Sequence, residues 1–259
     1  MSVPAFLNSS FRYLLVAGVT DVATIITSFE SEVLANSPAW TKNSAGDYTS
    51  PANANGRWFE VILTRIDQYT LDLLVKTWTG VSIISISGHY RMQIDTSATN
   101  VRIFTGQYHF HIQSDRSTPE HLCGGMLDLT PEAQDAHTVT IWAHGFRKGD
   151  STTTYNDLQY SSMNDDQTVN SGVVRPFCVG NATQMHMTSF SGAYLFEPVR
   201  HAKYNDWRQY GRRYQYLMCD SGLSSGAVVT VPIDAGVTGN FIVLGVPATG
   251  YTKACLRSA

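Results

Sequence analysis

From Arg57 onward the apolar residues fall at every second position, in runs too short for any regular element but a strand. Phe59, Val61 and Leu63 alternate with Trp58, Glu60, Ile62 and Thr64, and the run is bounded by Gly56 and Asp67. A period of two puts successive side chains on opposite faces of a sheet. The same texture returns at Val81–Ile86, His89–Ile94 and Val101–Gln113, with Gly88 as a bulge or kink, and again at His137–Ala143. Thr70–Trp78 fits a strand or a short helix; its place between two strands and the Thr79–Gly80 stop favour the strand. Further strand-like runs lie at Met185–Phe190, Tyr214–Met218, Ala227–Ile233 and Asn240–Val246. Turn signals between short strands at this spacing predict a mainly β chain with an antiparallel sandwich or barrel-like body. No repeat of fixed period occurs, which argues against a propeller or β-helix.

Two segments depart from this texture. Val22, Ile25, Ile26, Phe29 and Val33 recur at spacings of three and four, which predicts one amphipathic N-terminal helix over about 21–35, with Asp21 as its N-cap and Pro38 as its stop. Thr130, Pro131 and Glu132 open a short second helix, with Thr as cap and Pro at the first helical position. Ala35–Gly56 is a long polar loop holding Trp40 and Tyr48, aromatics that need a partner in the body of the chain or in a neighbouring subunit. The Ser-, Thr-, Asn- and Asp-rich stretch from Gly149 to Ser171 marks an excursion or a boundary. The domain reading is therefore 1–150 and 151–259, or one β domain of the full 259 residues.

Composition narrows the function classes. Hydrophobic residues make up 43% of the chain, enough for a core, while charged residues make up only 15% and the net charge is -3. Ser and Thr form roughly a fifth of the chain and take over the wetting of the surface that charge normally provides. A weakly acidic chain with no basic run beyond Arg212–Arg213 offers no footprint for duplex nucleic acid. Cys123, Cys178, Cys219 and Cys255 lie far apart with no C-x-x-C pair; four could form two disulfides, but a chain of this size does not need such staples, which favours buried thiols and a reducing compartment. No basic leader precedes the apolar stretch Tyr13–Val19, and no run approaches the roughly 20 apolar residues of a membrane span. The expectation is a soluble, unprocessed protein.

Three constellations bear on chemistry. His109 and His111, two residues apart on a strand, face the same way and are candidate metal ligands, with Glu120, His121 and His137 as further donors; such pairs more often arise from packing and hydrogen bonding alone. Gly222-Leu223-Ser224-Ser225-Gly226 matches the nucleophile elbow G-x-S-x-G. The elbow needs a helix after it, whereas Ala227–Ile233 reads as a strand, and the last histidine, His201, precedes the serine. The match therefore reads as a turn. Tyr204, Trp207, Tyr210 and Arg213 belong to a stretch, Tyr194–Tyr216, that mixes aromatics with Arg, Lys and His in the manner of interface hot spots, or of a β core with a basic rim. No specific catalytic signature and no cofactor motif appears.

The phrases Pro38-Ala39-Trp40-Thr41, Arg102-Ile103-Phe104-Thr105-Gly106 through His111, and Gly125-Met126-Leu127-Asp128-Leu129-Thr130-Pro131-Glu132-Ala133-Gln134 resemble the structural proteins of tailed-bacteriophage virions, over roughly the first 145 residues. The resemblance implies a non-enzymatic, symmetric, multi-copy component of the neck, tail or baseplate, made in the host cytoplasm and locked into the particle. Its partners would be copies of itself and other virion proteins. Contact residues expected on this reading are Trp40, Tyr48 and Trp58 near the first loop and Tyr204, Trp207, Tyr210 and Arg213 in the late segment. The alternatives are a receptor- or glycan-binding β module of the virion, a capsid decoration protein, and a metal-dependent hydrolase built on His109 and His111.

Overall fold

The computed structural model describes residues 11–53, 56–87, 89–116, 119–126, 128–129, 137–144, 147–148, 159–164, 174–176, 197–203, 209–219, 223–234, 237–244 and 253–258. Along the first half run β1 (Phe11–Val19), α1 (Val22–Leu34), β2 (Thr41–Lys42), β3 (Tyr48–Thr49), β4 (Arg57–Arg65), β5 (Thr70–Thr79), β6 (Ser82–Ile86), β7 (Tyr90–Gln93), β8 (Thr99–Gly106), β9 (His109–Ser114) and β10 (Glu120–Met126). Then follow β11 (Asp128–Leu129), β12 (His137–His144), β13 (Arg147–Lys148), β14 (Gln159–Asn164), β15 (Val174–Pro176), β16 (Glu197–Lys203), β17 (Gln209–Cys219), β18 (Val228–Asp234), β19 (Val237–Val243) and β20 (Lys253–Arg257). The chain is mainly β, with a single helix among the described residues. The expected second helix, from Thr130, and the strand expected at Met185–Phe190 lie outside them.

Among the described residues the strands form three antiparallel sheets. The first runs β1-β8-β9-β10-β12-β14, the second β13-β7-β5-β4-β3-β2 with β6 also paired to β5, and the third β15-β16-β17-β20-β19-β18 with β11 paired to β17. Pairing crosses residue 150, because β14 joins β12 at the edge of the first sheet. Thr70–Thr79 is a strand, as its flanks predicted, and β1 occupies the apolar stretch before the helix.

The helix begins where Asp21, in an extended conformation, accepts a hydrogen bond from the Ala23 backbone N–H at 2.8 Å. The same carboxylate takes a bidentate pair from Arg65 of β4, both contacts at 2.9 Å, so the cap also ties the helix to the second sheet. Val22, Ile25, Phe29 and Val33 form the buried stripe. They meet Val101, Ile103, Phe110, Ile112 and Leu122 of the first sheet and Phe59, Val61, Leu71, Leu73 and Val75 of the second in one contiguous core. A smaller core gathers Val231, Phe241 and Val243 in the third sheet.

The two loop aromatics belong to the main core, which corrects the expectation of contact residues there. Trp40 is buried edge-on against Phe29 and Phe59, at centroid distances of 6.2 and 5.1 Å, and its indole N–H donates to the Gly106 carbonyl at 3.0 Å. Tyr48 is buried against Phe29 at 5.3 Å and donates its hydroxyl to Glu30 at 3.0 Å. Both partners lie in the chain itself: the polar loop is drawn over the open end of the core because its two large rings are worth more there than in water.

Candidate functional site

The described contact candidate that stays near the surface is Trp58. It stands directly opposite Trp78 on β5, and the two indoles stack at 5.0 Å with an interplanar angle of 5°. Both belong to the face of the second sheet that points away from the core, since their chain neighbours Phe59 and Thr77 are the buried ones. Ile83 of β6 is opposite Trp78 and is 44% exposed. Val81, at the tip of the β5–β6 hairpin, is 93% exposed, and Ile86 is 56% exposed. The apolar ground is bordered by a polar row: Glu60, opposite Lys76, forms an ion pair with the Lys76 ammonium at 3.0 Å and accepts from the Asn43 side-chain amide at 2.7 Å. Sequence reasoning did not single out Trp78, Val81, Ile83 or Ile86. The available signal was that Thr77–Gly88 carries no charged residue while being rich in β-branched side chains.

The histidine pair sits where its spacing predicted, on one face of β9, yet its two members turn to different neighbours. His109 lies between Gly106 of β8 and Gly125 of β10, its register partners. Its ring covers Gly106 so closely that a Cβ there would overlap it, and it reaches across to Phe11 of β1 at 5.5 Å. This is an aromatic ring filling the space that a strand glycine leaves. His111 approaches His121 of β10, Nε2 to Nδ1 at 2.9 Å, so one ring donates and the other accepts. It also stands edge-on to Phe104 at 6.0 Å, with Cys123 directly across the ladder. Among the described residues no group of three His, Cys, Asp or Glu side chains is arranged to hold a metal ion.

The G-x-S-x-G run is seen from Leu223 on. Ala227 N–H donates to the Ser224 carbonyl at 3.1 Å and the chain passes straight into β18, so a strand follows where a nucleophile elbow needs a helix. Gly226, with φ +81°, lies against Arg102 of the first sheet: a Cβ there would come 2.8 Å from the guanidinium.

Of the late aromatic-basic segment, Tyr204 and Trp207 lie outside the described residues. Tyr210 and Arg213 are on β17, where Arg213 is opposite Val199 of β16. Among the described residues, no helix is long and apolar enough to cross a membrane. No protein-family profile matches the chain, and no curated protein sequence matches it.

Proposed function

We propose that the chain is a non-enzymatic structural component of a tailed-phage virion, in the neck, tail or baseplate, assembled in the host cytoplasm through symmetric contacts between copies. Its body is read as a sandwich of packed sheets that presents one sheet face outward. The observation that carries the proposal is the uncharged surface of Trp58, Trp78, Val81, Ile83 and Ile86. Soluble chains that stay single cover or break such ground with charge, and this chain, with 15% charged residues, has little to spare. Each half-exposed isoleucine contributes about 1 kcal/mol when a neighbour covers it, and symmetry repeats the gain at every copy.

The resemblance noted in the sequence supplies the particle; the outward face supplies a means of joining it. Of the histidines that a metal-dependent reading would use, His109 fills a glycine gap and His111 hydrogen-bonds His121, which favours a structural role for them. A glycan module would offer open ring faces to sugars. Here each indole covers a face of the other and the exposed groups beside them are aliphatic, which favours a protein neighbour.

Gold-labelled antibody against the chain, imaged on purified phage particles that encode it, tests the proposal. Regularly repeated label at one level of the neck, tail or baseplate is the expected result. Particles without label, with the chain recovered only as a free protein in the lysate, would overturn it.

A further inference from the structure

The two faces of the first sheet differ in chemistry. Val101, Ile103, Phe110, Ile112 and Leu122 turn to the helix and the second sheet. By alternation the other face carries Arg102 and Phe104 on β8, His109, His111 and Gln113 on β9, and His121 and Cys123 on β10, aligned across the ladders. It is not a solvent face: all but Arg102 are at most 5% exposed, and the Arg102 side chain is 14% exposed. Arg102 pairs with Asp115, which also accepts from the Gln113 side-chain amide at 2.7 Å. Covering imidazoles, an amide and an ion pair stabilises a layer far less than covering aliphatic side chains.

The third sheet reaches this face at two points. The Arg257 guanidinium of β20 lies over the Phe11 ring of β1, 4.3 Å from its centroid, and Phe11 stands 5.5 Å from the His109 ring. Gly226, just ahead of β18, lies against Arg102 so closely that a Cβ there would come 2.8 Å from the guanidinium. Arg257 is directly opposite Phe241 on β19, so Phe241 and Val243 share the side that Arg257 turns to the first sheet. With Val231 they form the smaller core: three buried residues, against twenty in the main core among the described residues.

We propose that the third sheet is a cover that opens as a unit while the main core stays folded, and that its opening exposes the histidine face together with Cys123. Proteins open first where a cooperative unit is held by the fewest buried apolar contacts. Here a small core is laid on polar side chains, and the two contacts that anchor it, at Phe11 and at Arg102, each engage a guanidinium. The helix and the second sheet hold the opposite face through the large aliphatic and aromatic core and have no part in the movement. The device needs no contact between copies and stands apart from the assignment to a particle.

The buried Cys123 thiol reports the opening. The full chain is alkylated with iodoacetamide at rising urea, the Cys123 peptide is quantified by mass spectrometry, and the rate is compared with global unfolding followed by circular dichroism. Below the unfolding transition Cys123 should react at a rate that changes little with urea, because opening a cover exposes much less surface than unfolding the chain. Gly226→Ala drives a Cβ against Arg102 and should speed the reaction about tenfold. Phe11→Leu, which takes the ring from under Arg257, should act in the same direction, and both should shift the main-core unfolding midpoint far less than they change the Cys123 rate. A Cys123 rate with the same urea dependence as global unfolding, or one that neither substitution raises, would overturn the proposal.

Discussion

Replacing Trp40 by alanine separates a core role from a contact role for the loop aromatics. The indole is fully enclosed, edge-on to Phe29, Phe59 and Phe110, and its N–H is the hydrogen-bond partner of the Gly106 carbonyl. Removing a buried Trp ring costs about 3–5 kcal/mol through lost burial and the cavity left behind. The Gly106 carbonyl loses a donor in an enclosed place, a further ~1–3 kcal/mol. A loss near 5 kcal/mol is comparable to the whole stability of many domains, so Trp40→Ala should be unfolded or close to it. Trp40→Phe, which keeps a ring but not the N–H, should lose about 2 kcal/mol. Trp58→Ala, which removes one half of a half-exposed stack, should lose only ~1 kcal/mol. Urea unfolding followed by circular dichroism measures all three. If Trp40→Ala costs under about 2 kcal/mol, or no more than Trp58→Ala, the loop is not part of the core.

Two further perturbations follow from the same geometry. Gly106→Ala forces a Cβ into the His109 ring and should cost about 2 kcal/mol; His109→Ala in the same chain should recover part of that loss, and a double-mutant cycle with no coupling would show that the ring does not fill the glycine gap. The Asp21 carboxyl is held below its ordinary range by the hydrogen bond from Arg65 and then by that from the Ala23 N–H, and Glu30 by those from Lys42 and then Tyr48. Both acids therefore add stability that is complete above their unfolded values, about pH 4, and is lost as pH falls through their lower folded values. The urea midpoint should drop on acidification, and Arg65→Gln with Lys42→Gln should flatten that drop; an equally steep profile in the double variant would refute the pairing.

What could be read in the chain was whatever depends on near neighbours. Helix α1 was legible because Val22, Ile25, Phe29 and Val33 repeat on one face and Asp21 caps its own N-terminus. β4 was legible because alternation states its two faces. β1 was not singled out, because Tyr13–Val19 is a continuous apolar run with no period, and it becomes a strand through pairing with β8, some 90 residues on. Trp40 looked like a surface residue because its acceptor, Gly106, is 66 positions away. His109 and His111 shared a face as their spacing required, but what each touches was fixed by Gly106, Gly125 and His121 on neighbouring strands. The outward apolar ground escaped notice for the same reason: Trp58, Trp78 and Ile83 become neighbours only through the β4–β5–β6 register.

Sedimentation equilibrium of the full chain against Ile83→Asp tests the outward face most directly. Ile83 is exposed, so the substitution should leave the urea midpoint unchanged while placing a charge in the middle of the uncharged ground. The native chain should associate into a defined multiple of its 28.6 kDa mass, and Ile83→Asp should sediment as a single copy. A native chain that remains single at every concentration, or an association that Ile83→Asp leaves intact, would contradict the assignment of this face to assembly.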